Sequence, residues 1–161
     1  MFASVGSWVF KYVGGIRLKE PGYKRVSLSP SCLVSSELSD TSAWLMTHRG
    51  NVSVDCSADA PGSVVWMTVA VPIGVLADVT IPALQFTTAD STTLSDSSTG
   101  NIFWKDGKFI KGAVPGILEV AANNGRNYDS EASTGIVVTT GSGIYSFKAD
   151  VQVARPATVV G

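Results

Sequence analysis

Asn51-Val52-Ser53-Val54-Asp55-Cys56-Ser57 alternates without a break, with Val52, Val54 and Cys56 facing one way and Asn51, Ser53 and Asp55 the other. Successive side chains of a β-strand point to opposite faces, so the pattern predicts a strand with one apolar and one wet face. Gly50 is the turn before it, and His48, in Thr47-His48-Arg49-Gly50, reads as an ordinary solvated loop residue. Upstream, Arg25-Val26-Ser27-Leu28-Ser29 alternates too and is closed by Pro30, while Glu20-Pro21-Gly22-Tyr23 reads as a turn: proline presets the first central angle and glycine accepts the positive one. Downstream, Val64 to Val71 and Val75 to Ile81 are β-branched runs joined across Pro72-Ile73-Gly74, a hairpin-like connection. The pair Ile102–Lys105 and Lys108–Ile110 flanks Asp106-Gly107, the dipeptide favoured where two consecutive positive φ angles are needed. Ile136 to Thr139 and Ile144 to Val153 complete the strands, separated by the turn Gly141-Ser142-Gly143.

Only the front of the chain has helical periodicity. Phe2, Val5, Trp8, Val9, Tyr12, Val13 and Ile16 recur at three- and four-residue steps, with Ser4 as a candidate N-cap and Gly14-Gly15 as the stop. The expected fold is therefore mainly β: an antiparallel, jelly-roll-like β-sandwich preceded by one short N-terminal α-helix. The expected division is residues 1–19 as a helix packed on the sandwich and residues 20–161 as a single sandwich domain. The stretches Thr87 to Gly100 and Ala121 to Thr134 are polar and read as exposed loops.

Charge and cysteine content narrow the function classes. With 12 basic and 13 acidic side chains in 161 residues the net charge is −1, which gives no electrostatic reason to approach nucleic acid or an anionic membrane. The apolar N-terminal stretch carries Lys11 in its middle and has no basic leader, so it fits neither a secretory signal nor a membrane span, and the cytoplasm is slightly favoured. Cys32 and Cys56 are too few for a disulfide scaffold or a cysteine-based zinc site; a single bridge between them is arithmetically possible, and two free thiols with at least one in the core are the favoured expectation. Asn51-Val52-Ser53 is a formal glycosylation sequon.

Catalytic constellations are sparse. His48 is the only histidine, which excludes the paired-histidine zinc motif, and no serine lies in a Gly-x-Ser-x-Gly elbow. No cofactor is implied. Glycoside hydrolysis needs two carboxyls across a cleft, and nothing in the sequence selects a pair. Asp78 reads as a solvent-facing strand residue and Asp106 as the turn former. Because a flat indole can stack on a sugar ring, the four tryptophans matter. Trp66, between Val64, Val65 and Met67, reads as core, and Trp8 lies on the helix face. Trp44 and Trp104 are the candidates for exposure and carbohydrate contact.

Several segments, in order, resemble a known family. Phe2-Ala3-Ser4-Val5-Gly6-Ser7-Trp8-Val9-Phe10-Lys11-Tyr12-Val13-Gly14-Gly15-Ile16, then Pro21-Gly22-Tyr23-Lys24-Arg25 and a strand ending at Pro30, resemble the junction in bacterial-type α-L-rhamnosidases where an (α/α)6-barrel leads into a C-terminal β-sandwich. Val69-Ala70-Val71-Pro72, Asp78-Val79-Thr80-Ile81-Pro82 and Thr140-Gly141-Ser142-Gly143-Ile144-Tyr145-Ser146-Phe147 continue the likeness. In that family a histidine before the helix reaches the sugar and the paired catalytic acids lie far upstream in the barrel. Ala3 and Ser7 depart from the family's common glycine and acidic residue. The resemblance thus implies the sandwich without its active site, with a structural or accessory role in carbohydrate processing. A carbohydrate-binding module and an active inverting α-L-rhamnosidase are the rival readings. The implied partners are a rhamnose-containing saccharide, a catalytic barrel or a second copy of the chain. The helix's apolar residues exceed the stripe that one sandwich can cover, so Phe2, Trp8 and Phe10 are expected at that partner contact.

Overall fold

The structure, a computed structural model, describes residues 11–31, 39–59, 63–82, 91–123 and 135–151. Their strands are β1 (Ile16–Leu18), β2 (Arg25–Leu28), β3 (Asp40–Thr47), β4 (Gly50–Ala58), β5 (Val64–Val71), β6 (Leu76–Pro82), β7 (Thr92–Asp96), β8 (Ile102–Lys105), β9 (Lys108–Phe109), β10 (Ile117–Asn123), β11 (Gly135–Thr140) and β12 (Gly143–Val151). One sheet has the order β1-β2-β6-β11-β10 and the other β3-β4-β5-β12-β7-β8-β9. Alternation on the strands of both sheets feeds one core. Val26, Leu28, Ala77, Val79 and Val138 come from the five-stranded sheet, and Val52, Val54, Met67, Val69, Leu94 and Phe147 from the seven-stranded one. Phe103 sits edge-on to Phe147, ring centroids 5.7 Å apart, in the geometry that the aromatic quadrupole prefers.

Pairing is antiparallel throughout the described ladders except between β2 and β6, which run parallel with Arg25 opposite Leu76 and Leu28 opposite Val79. Parallel neighbours need a crossover, and the chain supplies it by building β3, β4 and β5 in the other sheet before returning. The return is the turn Pro72-Ile73-Gly74-Val75, in which the Val75 N–H donates to the Pro72 carbonyl at 3.2 Å and Gly74 has φ 75°. This corrects the hairpin expected there: β5 and β6 lie in different sheets, so the turn carries the chain across the sandwich. The Asp106-Gly107 hairpin is as expected, both residues at positive φ and Lys105 paired with Lys108.

Two other expectations change. Among the described residues no α-helix is an element of the fold. The helix expected over Phe2–Ile16 falls mostly on residues 1–10, outside those described, and Ile16 is instead the first residue of β1, paired with Leu28. The stretch Thr87 to Gly100 is not simply a loop, because Thr92–Asp96 is strand β7, held between β12 and β8. Threonine is β-branched and fits a pleated surface, and its polar neighbours find partners inside. The Asp96 carboxylate accepts bonds from Ser98 Oγ and from the Thr99 N–H and hydroxyl. Burial pushes the Asp96 carboxyl up, but these bonds outweigh it and hold the group below its usual range. Ala121–Asn123 likewise end β10, and residues 124–134 of the second polar stretch lie outside those described.

Entry into the sandwich depends on one close approach. Gly15 has φ 70°, its carbonyl accepts the Ser29 N–H at 2.9 Å, and a Cβ there would lie 2.0 Å from the Ser29 carbonyl oxygen. Any side chain would strain the backbone and push β1 off β2. Gly15→Ala should therefore lower the unfolding free energy by more than ~1 kcal/mol in urea titrations. An unchanged midpoint would show that the contact is dispensable.

Candidate functional site

The most strongly bonded ionic cluster lies on the outer face of the five-stranded sheet. Asp78, on β6, receives Arg25 from β2 through Nε to Oδ2 at 2.9 Å and Nη2 to Oδ1 at 2.8 Å. Lys19 Nζ, just after β1, donates to Oδ2 at 2.8 Å, and Thr139 Oγ1, on β11, to Oδ1 at 3.0 Å. The expectation of a solvent-facing Asp78 is thus corrected. The residue points outward but is only 3% exposed, roofed by the two cations. Burial, the largest single influence, pushes its carboxyl up, and the bonds from Arg25, Lys19 and Thr139 together pull it below the ordinary range. With both oxygens engaged, the group ties four elements together and has no lone pair free for a substrate.

The outer face of the seven-stranded sheet is built differently. Register sets side chains in rows across the strands. One row is Asp40, Ser57, Trp66 and Lys148, and the next is Ser42, Asp55, Thr68 and Ser146. Between β3 and β5 these rows line an open groove of about 410 Å³, with Trp66 and Thr68 on one flank and Asp40 and Ser42 on the other. The Ser42 hydroxyl donates to Asp55 Oδ1, and Thr68 Oγ1 bonds Ser146 Oγ at 3.2 Å. Thr41, paired with Cys56, alternates to the inner side of the sheet, where its buried hydroxyl has no hydrogen-bond partner. Among the described residues no cluster of histidine, cysteine and carboxylate groups is arranged to hold a metal ion.

The tryptophans sort differently from the sequence reading. Trp44 is 64% exposed, as expected, but Trp104 is 4% exposed and cannot meet a ligand. On β8 the two central residues, Phe103 and Trp104, are both buried, while Ile102 and Lys105 at its ends are exposed. Trp66 is the reverse case: expected in the core, it is 40% exposed. On β5 the residues Val65, Met67, Val69 and Val71 are buried, and the intervening Trp66 and Thr68 are exposed. The signal was present in the parity of the strand, overridden by the apolar neighbours. Phe2, Trp8 and Phe10 lie outside the described residues. His48 is an exposed turn residue, its ring 6.0 Å from that of Tyr23. The expectation of two free thiols is corrected as well. Cys56 is buried and disulfide-bonded, while Cys32, the chain's only other cysteine, lies outside the described residues.

These features define a two-sheet β domain with a polar, indole-bearing outer face. Residues 15–93 match a family described as the bacterial α-L-rhamnosidase C-terminal domain. Among solved structures, an α-L-rhamnosidase from Dictyoglumus thermophilum aligns over 92% of this chain and 14% of its own, with a TM-score of 0.66 and 24% identity. A Streptomyces avermitilis α-L-rhamnosidase complexed with L-rhamnose aligns over 91% of this chain and 11% of its own, at TM-score 0.59 and 22% identity. No curated protein sequence matches the chain. The chain therefore resembles the C-terminal domain of bacterial α-L-rhamnosidases, a non-catalytic domain of a glycoside hydrolase, and spans a small part of those enzymes' length.

The Asp78 cluster makes a pH-dependent contribution to stability. Since the folded-state carboxyl titrates below its unfolded value, its stabilisation is complete above the unfolded range near 3.9 and is lost as pH falls through the folded pKa. Asp78→Asn should cost about 1–3 kcal/mol near neutral pH. In urea titrations the gap between variant and parent should narrow steadily on acidification, and a gap independent of pH would contradict the assignment.

Proposed function

We propose that the chain is the non-catalytic, C-terminal-type β-sandwich of an α-L-rhamnosidase-like glycoside hydrolase, an accessory module set against a catalytic barrel. The observation that carries this reading is the family match over residues 15–93, which begins beside β1 and runs into β7. The likeness of fold over nearly the whole chain supports it. In this reading the domain is jelly-roll-like, and the apolar residues Phe2, Trp8 and Phe10 of the segment before β1 are the ones that meet the barrel. A second copy of the chain is the competing occupant. A rhamnose-containing saccharide is the substrate class of the whole assembly, and neither nucleic acid nor membrane is a partner. The disulfide-bonded Cys56 supports an oxidising compartment over the cytoplasm that the sequence slightly favoured.

A working rhamnosidase is the rival, and the best-engaged carboxylate gives it no support: Asp78 is saturated by Arg25, Lys19 and Thr139. The purified chain, incubated with an aryl α-L-rhamnoside, should release no aglycone above the uncatalysed background. Turnover that a single carboxylate-to-amide substitution abolishes would overturn the proposal.

A further inference from the structure

We propose that the groove between β3 and β5 is a binding site for a neutral pyranoside, with Trp66 as its stacking platform. Two independent features meet there. The first is an indole exposed on a rigid central strand, flat enough to take the C–H face of a sugar ring. The second is a set of unspent hydrogen-bonding groups. Ser42 occupies Asp55 Oδ1 and Ser39 occupies Asp40 Oδ2, which leaves the other oxygen of each carboxylate without a bond among the described residues. Both remaining oxygens accept only, and a sugar hydroxyl is the matching donor.

Register makes the spacing suitable. Asp40 stands opposite Ser57, two residues along β4 from Asp55, so the two carboxylates are diagonal neighbours at roughly 7–8 Å. Hydroxyls on one pyranose ring can reach both while the ring lies over Trp66, which stands beside Ser57 in the same row. The groove's volume of about 410 Å³ falls within the range of small-molecule sites. Charge selects the class of sugar. Asp40 and Asp55 contribute two negative groups at the groove, and the nearby Lys148 is already paired with Asp150 at 2.9 Å. A uronate or a sugar phosphate is therefore repelled, and a neutral glycoside is not. The groove is open to solvent and its contacts are few, so affinity is modest, with Kd on the order of 1–10 mM.

The test is a titration of the uniformly ¹⁵N-labelled chain, followed by NMR, with methyl α-L-rhamnopyranoside, methyl β-D-galactopyranoside and D-galacturonate as probes. The first probe is chosen on the likeness to rhamnosidases. The second is independent of it, so the groove can succeed where that reading fails. Expected are saturable shifts of the Trp66 indole N–H and the Asp55–Ser57 amides with at least one neutral glycoside. They should weaken about tenfold or more in Trp66→Ala and Asp55→Asn, with Trp44→Phe unaffected. Should Trp66→Ala fold poorly, Thr68→Lys fills the groove without removing the indole and should abolish the shifts. No saturable response to either neutral glycoside, shifts that survive Thr68→Lys, or galacturonate binding as tightly as the neutral glycosides would overturn the proposal.

Discussion

The pleat of the seven-stranded sheet constrains everything on its surface. A strand has a period of two, so once Val65, Met67 and Val69 are committed to the core, Trp66 and Thr68 must face outward. The same parity on β4 buries Val52, Val54 and Cys56 and turns Asp55 outward, and on β12 it buries Tyr145, Phe147 and Ala149. The buried set stabilises the fold, each large side chain contributing roughly 1.5–3 kcal/mol on burial. The outward set costs little and is free to serve another end. The polar groove is thus a by-product of the register that the core enforces.

The five-stranded sheet has the opposite economy. It contains the parallel pair, β2 with β6, and draws an arginine, a lysine and a threonine from three different elements onto one carboxylate. Desolvating Asp78 is unfavourable by itself, and only the bidentate Arg25 contact together with Lys19 and Thr139 offsets it. Such a cluster discriminates among pairings, since a one-residue slip of β2 would carry Arg25 to the other face and leave the carboxylate short of its bidentate partner. We attribute to it the alignment of β1, β2, β6 and β11 more than raw stability.

Where a local rule acted alone, the sequence was legible. Asp106-Gly107 specified its hairpin because it is one of the few dipeptides that readily supply two consecutive positive φ angles, and Asn51–Ser57 alternated because one face meets the core and one meets water. Legibility failed where composition and position compete. Trp66 is large, apolar and flanked by valines, yet parity rather than hydropathy decides its side. Thr92–Asp96 is polar, yet β-branching and internal hydrogen bonds admit it between two strands. The Pro72–Val75 turn has hairpin chemistry, but a turn reports only the local reversal and not which sheet receives the next strand. Cysteine pairing was likewise hidden, because two thiols far apart in sequence carry no sign of their distance in space. The resemblance to rhamnosidases, by contrast, rested on an ordered series of segments and survived these local errors.

For an accessory module, a rigid sheet face is a suitable place for a shallow site, since its side chains are positioned by a ladder and not by loops. The central claim is the register of β4 on β5 that sends Trp66 to that face. Interstrand nuclear Overhauser effects measure it directly. The account predicts backbone contacts that pair Ser57 with Trp66 and Ser53 with Ala70. A pattern displaced by one residue, with Ser57 opposite Val65, would turn the indole into the core and contradict the account.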